Sequence, residues 1–288
     1  MLKYHKKVDN AQEPLRAIVL DNDEASGYYL HIFDLWQTLQ ETSLGRDLSF
    51  RQILDFFIEN SEKYHIFRPE LFTFLETCVG LRDEGSIDAI IMYTHQNSEF
   101  TWDTWSVPAF LSVLMGHILA LKMGRPLKRR LFDFVLTLPP EANQKDINGW
   151  TVKTFDRILN MYPWKPRDIR SILFVDDHAS PKYIEADSIN SDKKDLSSWY
   201  KVSPYRIAYG AGVYRQMIGD LVTSVGLTVP TLNDEDKVVI DRIASEASRE
   251  GSPVPRNATY FAADRTFIDL DMYVRERFRD RKSLSSST

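Results

Sequence analysis

The chain has 288 residues, 43% of them apolar, and a formal net charge of −5. That length and apolar content suit one large α/β domain, or a core domain with a smaller lobe. The acidic balance offers no global attraction for nucleic acid or anionic lipid, and the single cysteine, Cys78, excludes an intrachain disulfide or a thiolate metal site.

The first element is an apolar run that closes on alternating carboxylates, Ala17-Ile18-Val19-Leu20-Asp21-Asn22-Asp23. Four consecutive aliphatic residues suit a short strand in a sheet covered on both faces. Gly27 breaks the pattern, and helical spacing resumes through Leu30, Ile32, Phe33, Leu35, Trp36 and Leu39. Ser49 signals a second helix, whose apolar face is Phe50, Ile53, Leu54, Phe56, Phe57 and Ile58. Arg68-Pro69-Glu70 opens a third over 71–81, with proline in the first turn where its missing donor costs little. A buried strand over 88–93 ends at Thr94, a helix over about 108–122 is stopped by Gly124-Arg125-Pro126, and a strand over 132–138 is closed by Pro139-Pro140. A helix over 151–161 then leads into a second acidic strand, Ile172-Leu173-Phe174-Val175-Asp176-Asp177.

Beyond Pro181 the pattern weakens to a short edge strand over 205–209 and helices over 214–222, 235–247 and 268–279. Alternating helix and strand at this spacing predicts an α/β fold, a Rossmann-like central parallel sheet with helices on both faces. Residues 1–230 read as one unit carrying a small helical insertion over about 30–65; residues 231–282 read as a helical carboxy-terminal appendage and 283–288 as a frayed tail. The segment Met1 to Lys7 lacks the apolar core of a secretory signal, and the run from Val107 to Leu121, broken by Pro108 and His117, falls short of the roughly 18 residues that span a membrane. The expectation is an intracellular protein, cytoplasmic or nuclear, with neither a membrane nor a nucleic acid as partner. Lys128-Arg129-Arg130 is the local exception that could bind phosphate groups, or else a solvated basic turn.

Each acidic strand end, taken singly, could merely open a loop or cap the next helix. Two such ends on neighbouring strands place up to four carboxylates in the crevice where open α/β sheets bind ligands. Like charges at that density call for a cation, and an oxygen-rich donor set favours Mg²⁺. An Asp at a strand end with a second two residues on has a specific use in phosphoryl transfer. Asp21 can attack phosphorus to form an aspartyl-phosphate, and Asp23 can protonate the leaving oxygen and later deprotonate the hydrolytic water. Thr94, at its strand end, offers a hydroxyl to a phosphoryl oxygen, and a lysine ahead of the second acidic strand is needed to hold the charge.

This order of parts resembles the haloacid dehalogenase-like superfamily of phosphatases, and within it the branch that dephosphorylates the RNA polymerase II carboxy-terminal domain. The peptides that carry the resemblance are Phe67-Arg68-Pro69-Glu70-Leu71-Phe72, Arg129-Arg130-Leu131-Phe132, Val152-Lys153-Thr154-Phe155-Asp156-Arg157-Ile158-Leu159 and Phe174-Val175-Asp176-Asp177-His178-Ala179-Ser180-Pro181. It covers roughly residues 15–210, with gaps. It implies Asp21 as nucleophile, Asp23 as acid/base, Thr94 and Lys153 as phosphate-binding groups, and a Mg²⁺ site built from Asp21, Asp23 through its backbone carbonyl, and Asp177. Asp176 would orient Lys153 or a water on the metal. Lys165 and Lys128 also lie in the window for the lysine, and Lys153 is preferred because it opens a helix leading back to the crevice.

The sequence departs from that pattern at Ala25, where the family carries Thr or Val, and at Thr94-His95-Gln96-Asn97. A lost supporting hydroxyl is worth about 1 kcal/mol, and Ser26 could replace it. The helical stretch over 30–65 stands where the branch has its substrate-reading hairpin. Tyr28, Tyr29, Phe100, Trp102 and Trp105 read equally as pocket walls or as core. The expected function is a Mg²⁺-dependent phosphomonoesterase, a protein serine/threonine phosphatase acting on a phosphoprotein. The alternatives are the same chemistry on a small phosphorylated molecule or nucleotide, and a non-catalytic phosphatase-like scaffold.

Overall fold

The computed structural model describes residues 13–26, 32–138, 153–176, 184–185, 199–203, 205, 211–227, 232–250 and 263–279. Strand β1 (Ala17–Leu20) is buried at every residue, and a single helical turn, α1 (Asn22–Ala25), follows at once. Helices α2 (Asp34–Glu41), α3 (Leu44–Asp47) and α4 (Phe50–Asn60) fill most of the expected insertion. Ser49 starts α4 through a reciprocal cap: its Oγ accepts from Gln52 N–H at 3.3 Å, and Gln52 Oε1 accepts from Ser49 N–H at 2.9 Å. Helix α5 (Leu71–Asp83) is entered through Glu70, held at φ 60°, so Pro69 stands before the helix and not in its first turn.

Strand β2 (Ala89–Asn97) runs three residues past Thr94, where the sequence predicts its end. The tryptophan-rich stretch after it forms a tight hairpin, β3 (Thr101–Trp102) and β4 (Trp105–Ser106), turning on Asp103 and Thr104 at φ 45° and 68°. Two positive φ angles at the turn residues match the hairpin twist, although a β-branched threonine adopts one at a cost. Helix α6 (Val107–Lys122) is capped by Ser106 Oγ on Ala109 N–H, with Pro108 in its first turn. Strand β5 (Phe134–Leu138) begins two residues later than the apolar run suggests.

The helix expected over 151–161 is shorter. Lys153 and Thr154 form a two-residue strand, β6 (Lys153–Thr154), and α7 (Phe155–Leu159) begins only after Thr154 caps Arg157 N–H. Strand β7 (Ile172–Asp176) is wholly buried, β8 (Ile184–Glu185) pairs with β6, and β9 (Trp199–Lys201) is the edge strand. That edge lies upstream of the stretch over 205–209; Tyr205 is not in a strand, and 206–210 lie outside the described residues. Helices α8 (Ala211–Ser224), α9 (Asp234–Glu250) and α10 (Thr266–Arg279) complete the described residues.

The main sheet has the order β5-β2-β1-β7-β9, and every neighbouring pair is parallel. From the central β1 the chain winds outward through β2 and β5, then returns to the other flank of β1 with β7 and β9. The order reverses between β1 and β7, which is where open α/β sheets of this Rossmann-like kind form their ligand crevice.

Side-chain alternation divides the core by face. Ile18, Leu20, Ile90, Met92, Leu173 and Val175 join the larger cluster. Ala17, Val19, Ala89, Ile91, Tyr93, Ile172 and Phe174 join the smaller one with Phe155, Ile158 and Leu159 of α7. The larger cluster also takes the apolar faces of α2, α4, α5, α6, α8, α9 and α10, so the insertion and the carboxy-terminal helices share one core. Polar contacts bind them further: Thr38 Oγ1 and the Tyr214 hydroxyl lie 2.7 Å apart, and Asp236 accepts from the Ser43 amide at 3.0 Å. Among the described residues, no helix is long and apolar enough to cross a membrane.

Candidate active site

The register of β1 on β7 pairs Leu20 with Val175, which makes Asp21 and Asp176 the next residues along both strands. Matched residues of parallel strands share a face, and alternation gives both aspartates the face of Val19 and Phe174. Asp21 N–H donates to Val175 O at 3.4 Å, extending the ladder by one residue. Asp21 then turns the chain: its Oδ1 accepts from Asn22 N–H at 2.6 Å and caps α1. That turn brings carboxylate oxygens of Asp21, Asp23 and Glu24 within 4.8 Å of one another, an arrangement able to hold a metal ion.

Lys153 enters from β6, anchored where Thr154 N–H donates to the Tyr93 hydroxyl at 3.3 Å. Its ammonium donates to Asp21 Oδ2 and to Asp176 Oδ2, the latter at 2.5 Å. Lys153 and Asp176 have no solvent exposure at all, and Asp21 retains only 5%. Lys165 and Lys128, the other lysines in the window, pair instead with Asp88 at 3.3 Å and Asp83 at 3.1 Å.

Charge in this crevice is unbalanced. Burial disfavours the charged ammonium of Lys153, but the fields of Asp21, Asp176, Glu24 and Asp23 outweigh it and lift its pKa well above the usual lysine range. Lys153 is therefore a fixed cation. Burial, with the neighbouring Asp23, Asp21 and Asp176 carboxylates, also pushes Glu24 well above the usual range. Asp21 is raised as well, by burial first and then by Asp176, against the opposing pull of Lys153. Four carboxylates thus face one lysine. Hard oxygen donors gathered with surplus negative charge fit a divalent cation.

A scaffold behind α1 holds the turn in place. Tyr205 N–H donates to Asp23 O at 2.8 Å, Arg68 N–H to Ala25 O at 3.0 Å, and Ser26 Oγ to Asn22 O at 3.0 Å. The Arg68 guanidinium donates to Ser203 O at 2.5 Å and to Asp264 Oδ2 at 2.6 Å, in an ion pair whose side chains are 6% and 8% exposed. One arginine thereby joins the Asp21 turn, the segment after β9 and the entry to α10.

Three of the sequence-predicted residues, Asp21, Lys153 and Asp176, are in direct contact, and Asp23 stands beside Asp21. The Asp23 carbonyl expected on the metal already accepts from Tyr205, which leaves it one lone pair. Thr94 is buried one residue beyond the position opposite Asp21, and its Oγ1 accepts from Gln96 N–H at 3.2 Å. Asp177, His178, Tyr28 and Tyr29 lie outside the described residues. Phe100 stacks on Phe33 at 4.5 Å and Trp105 on Phe50 at 4.0 Å, while Trp102 donates to Gly45 O, so these rings fasten the hairpin to the insertion. Lys128 and Arg129 are likewise structural, Arg129 pairing with Asp133 at 3.4 Å.

Sequence reasoning missed Glu24, whose only signal was its place beside Asp23. It also missed Arg68 as a clamp, because its partner lies 196 residues away. Asn22 and Gln96 are buried at the same sheet edge with carboxamides that no described residue engages. No protein-family model, curated protein or solved structure matches the chain.

Proposed function

We propose that the chain is a cation-dependent phosphomonoesterase that works through an aspartyl-phosphate on Asp21, with a phosphoserine or phosphothreonine of a protein as substrate. The observation that carries this reading is the joining of Asp21 and Asp176 through Lys153 at the switch point of the sheet, with Asp23 and Glu24 one helical turn away. The motif order, which resembles the haloacid dehalogenase-like phosphatases and their polymerase-tail branch, supports it.

The donor set at Asp21, Asp23 and Glu24 consists of hard oxygens and fits Mg²⁺. Bound there, Mg²⁺ would neutralise the approaching phosphate, which these acids otherwise repel. Lys153 opposes the rise that burial imposes on the Asp21 pKa and orients that carboxylate, and Asp176 fixes the ammonium from the other side. Asp21 attacks phosphorus while the ester oxygen departs with a proton from Asp23. Asp23 then takes a proton from water as that water attacks the acyl-phosphate, which releases inorganic phosphate and regenerates both acids. Thr94 accepts one hydrogen bond through its oxygen, so its O–H proton is left to donate to a phosphoryl oxygen.

The test is hydrolysis of p-nitrophenyl phosphate with and without Mg²⁺, comparing wild type with Asp21→Asn. Metal-dependent turnover that disappears in the variant is expected. Turnover that survives Asp21→Asn, or that ignores chelation, contradicts the mechanism; a folded protein inert towards every phosphate ester tried would favour a scaffold.

A further inference from the structure

Behind the nucleophile turn the surface opens into a groove of about 440 Å³ that the phosphoryl chemistry does not use. Its floor is aromatic: Phe67 and Phe72 meet edge to face with centroids 5.2 Å apart, and the buried Tyr205 closes one side. Its rim is acidic. Glu62, Glu70 and Glu76 line it, against Lys122 and Arg68 as the lining cations. Arg68 is neutralised by Asp264, and Lys122 by Glu62 at 2.9 Å. Glu70 and Glu76 form no ion pair with any described residue; the former only accepts from Thr73 Oγ1 at 2.8 Å. Two carboxylates that pair with no described cation thus stand over half-buried aromatic rings.

That combination suits a side chain with an apolar stem and a cationic head. The stem of an arginine or lysine covers ring faces while its head reaches solvent-facing carboxylates, and a cation over a ring adds further attraction. The groove already shows this on a small scale: Lys122 Nζ lies 5.7 Å from the Phe72 centroid.

The groove is also wired to the crevice. Phe67 bridges to Ser26, the Arg68 amide holds Ala25 O, and the Tyr205 amide holds Asp23 O. Ala25 ends the one-turn helix that Asp21 caps. A helix rises about 1.5 Å per residue, so Ala25 lies about 6 Å along α1 from Asp21, and the Arg68 wall, a 3.0 Å hydrogen bond beyond its carbonyl, stands on the order of 10 Å from Asp21. An extended peptide covers that distance in about three residues.

We propose that this groove is the specificity subsite of the phosphatase reading, which it rests on: it receives an arginine or lysine placed about two to four residues from the phosphorylated side chain. The substrate class is a phosphoprotein segment with a basic residue near the phosphosite. Nothing in the chemistry of the crevice demands such a residue, so the preference belongs to the groove alone.

The experiment uses the full chain and two families of phosphoserine peptides, one scanning arginine across the four positions on each side of the phosphosite, the other carrying alanine. In wild type, kcat/KM should favour arginine at one or two positions by about fivefold, as expected of one or two partly exposed charge pairs. In the Glu70→Gln, Glu76→Gln double variant that preference should vanish, while p-nitrophenyl phosphate turnover and alanine-peptide turnover stay at wild-type levels. Equal use of both families by wild type, or a preference that survives the double variant, overturns the proposal. Calorimetric binding of the unphosphorylated arginine peptide separates the two readings. Binding that weakens in the double variant, without hydrolysis of any ester, keeps the groove and rejects the phosphatase; hydrolysis without that binding difference does the reverse.

Discussion

Two of the places where the protein buries charge make an instructive contrast. At the clamp, Arg68 meets Asp264 one to one, and the remaining guanidinium donor capacity goes to backbone carbonyls such as Ser203 O. Burial raises the Asp264 pKa, but the Arg68 hydrogen bond and charge outweigh it, so the group sits below the ordinary value of 3.8. At the crevice, four carboxylates share one lysine, and Asp21 and Glu24 sit above their ordinary values. A balanced pair holds a structure together by itself. A surplus of buried negative charge is costly unless something positive arrives. The clamp explains how the turn is held, and the crevice explains what it is held for.

The sharpest way to break this contrast is to change Asp21, the proposed nucleophile. Asp21→Asn removes the oxygen proposed to attack phosphorus but also relieves charge, so the proposed phosphatase activity should fall about a thousandfold or more while stability holds or improves. Kinetics and thermal melting on the same sample check both halves. Lys153→Met should do the opposite to stability: carboxylates left without their cation cost about 3–5 kcal/mol, read as a lower denaturant midpoint.

Breaking the clamp sharpens the other side. Arg68→Met strands Asp264 in a nearly dry site and should destabilise the fold by about 3 kcal/mol, and the double change Arg68→Met, Asp264→Leu should recover part of that. Because the folded Asp264 pKa is depressed, its stabilisation is present above the unfolded value near 3.8 and is lost as pH falls through the folded value. Wild type should therefore shed this contribution only below about pH 4, and Asp264→Asn should show a shallower acid limb. The smallest effect is chemical. Cys78 is fully buried and its thiol is pushed well up by burial and by Asp271, so a thiol reagent should label it no faster than the fold opens.

The sheet was legible in the sequence where burial is two-sided. The runs 17–20 and 172–176 are apolar at every step until their aspartates, and the register then brings those aspartates side by side. The cap of α4 was legible for an equally local reason, since Ser49 and Gln52 satisfy each other three residues apart. What escaped was set by distance or by shortness. Two-residue strands such as β3, β4 and β6 carry no periodicity, and the Asp103-Thr104 turn lacks the glycine that usually announces such a hairpin. Lys153 was found as a residue but placed in a helix, because Thr154 and the apolar positions after it look helical from the sequence alone. Glu24 is buried by tertiary packing that no local pattern records.

The central claim is that the crevice is one cation short. Titration of the apo chain with Mg²⁺, followed by calorimetry, tests it most directly, with Asp21→Asn and Glu24→Gln as crevice variants and Glu76→Gln as an acidic control outside it. Wild type should show one saturable Mg²⁺ site, weakened in both crevice variants and unchanged in Glu76→Gln. Absence of binding in wild type, or equal losses in the control, would contradict it.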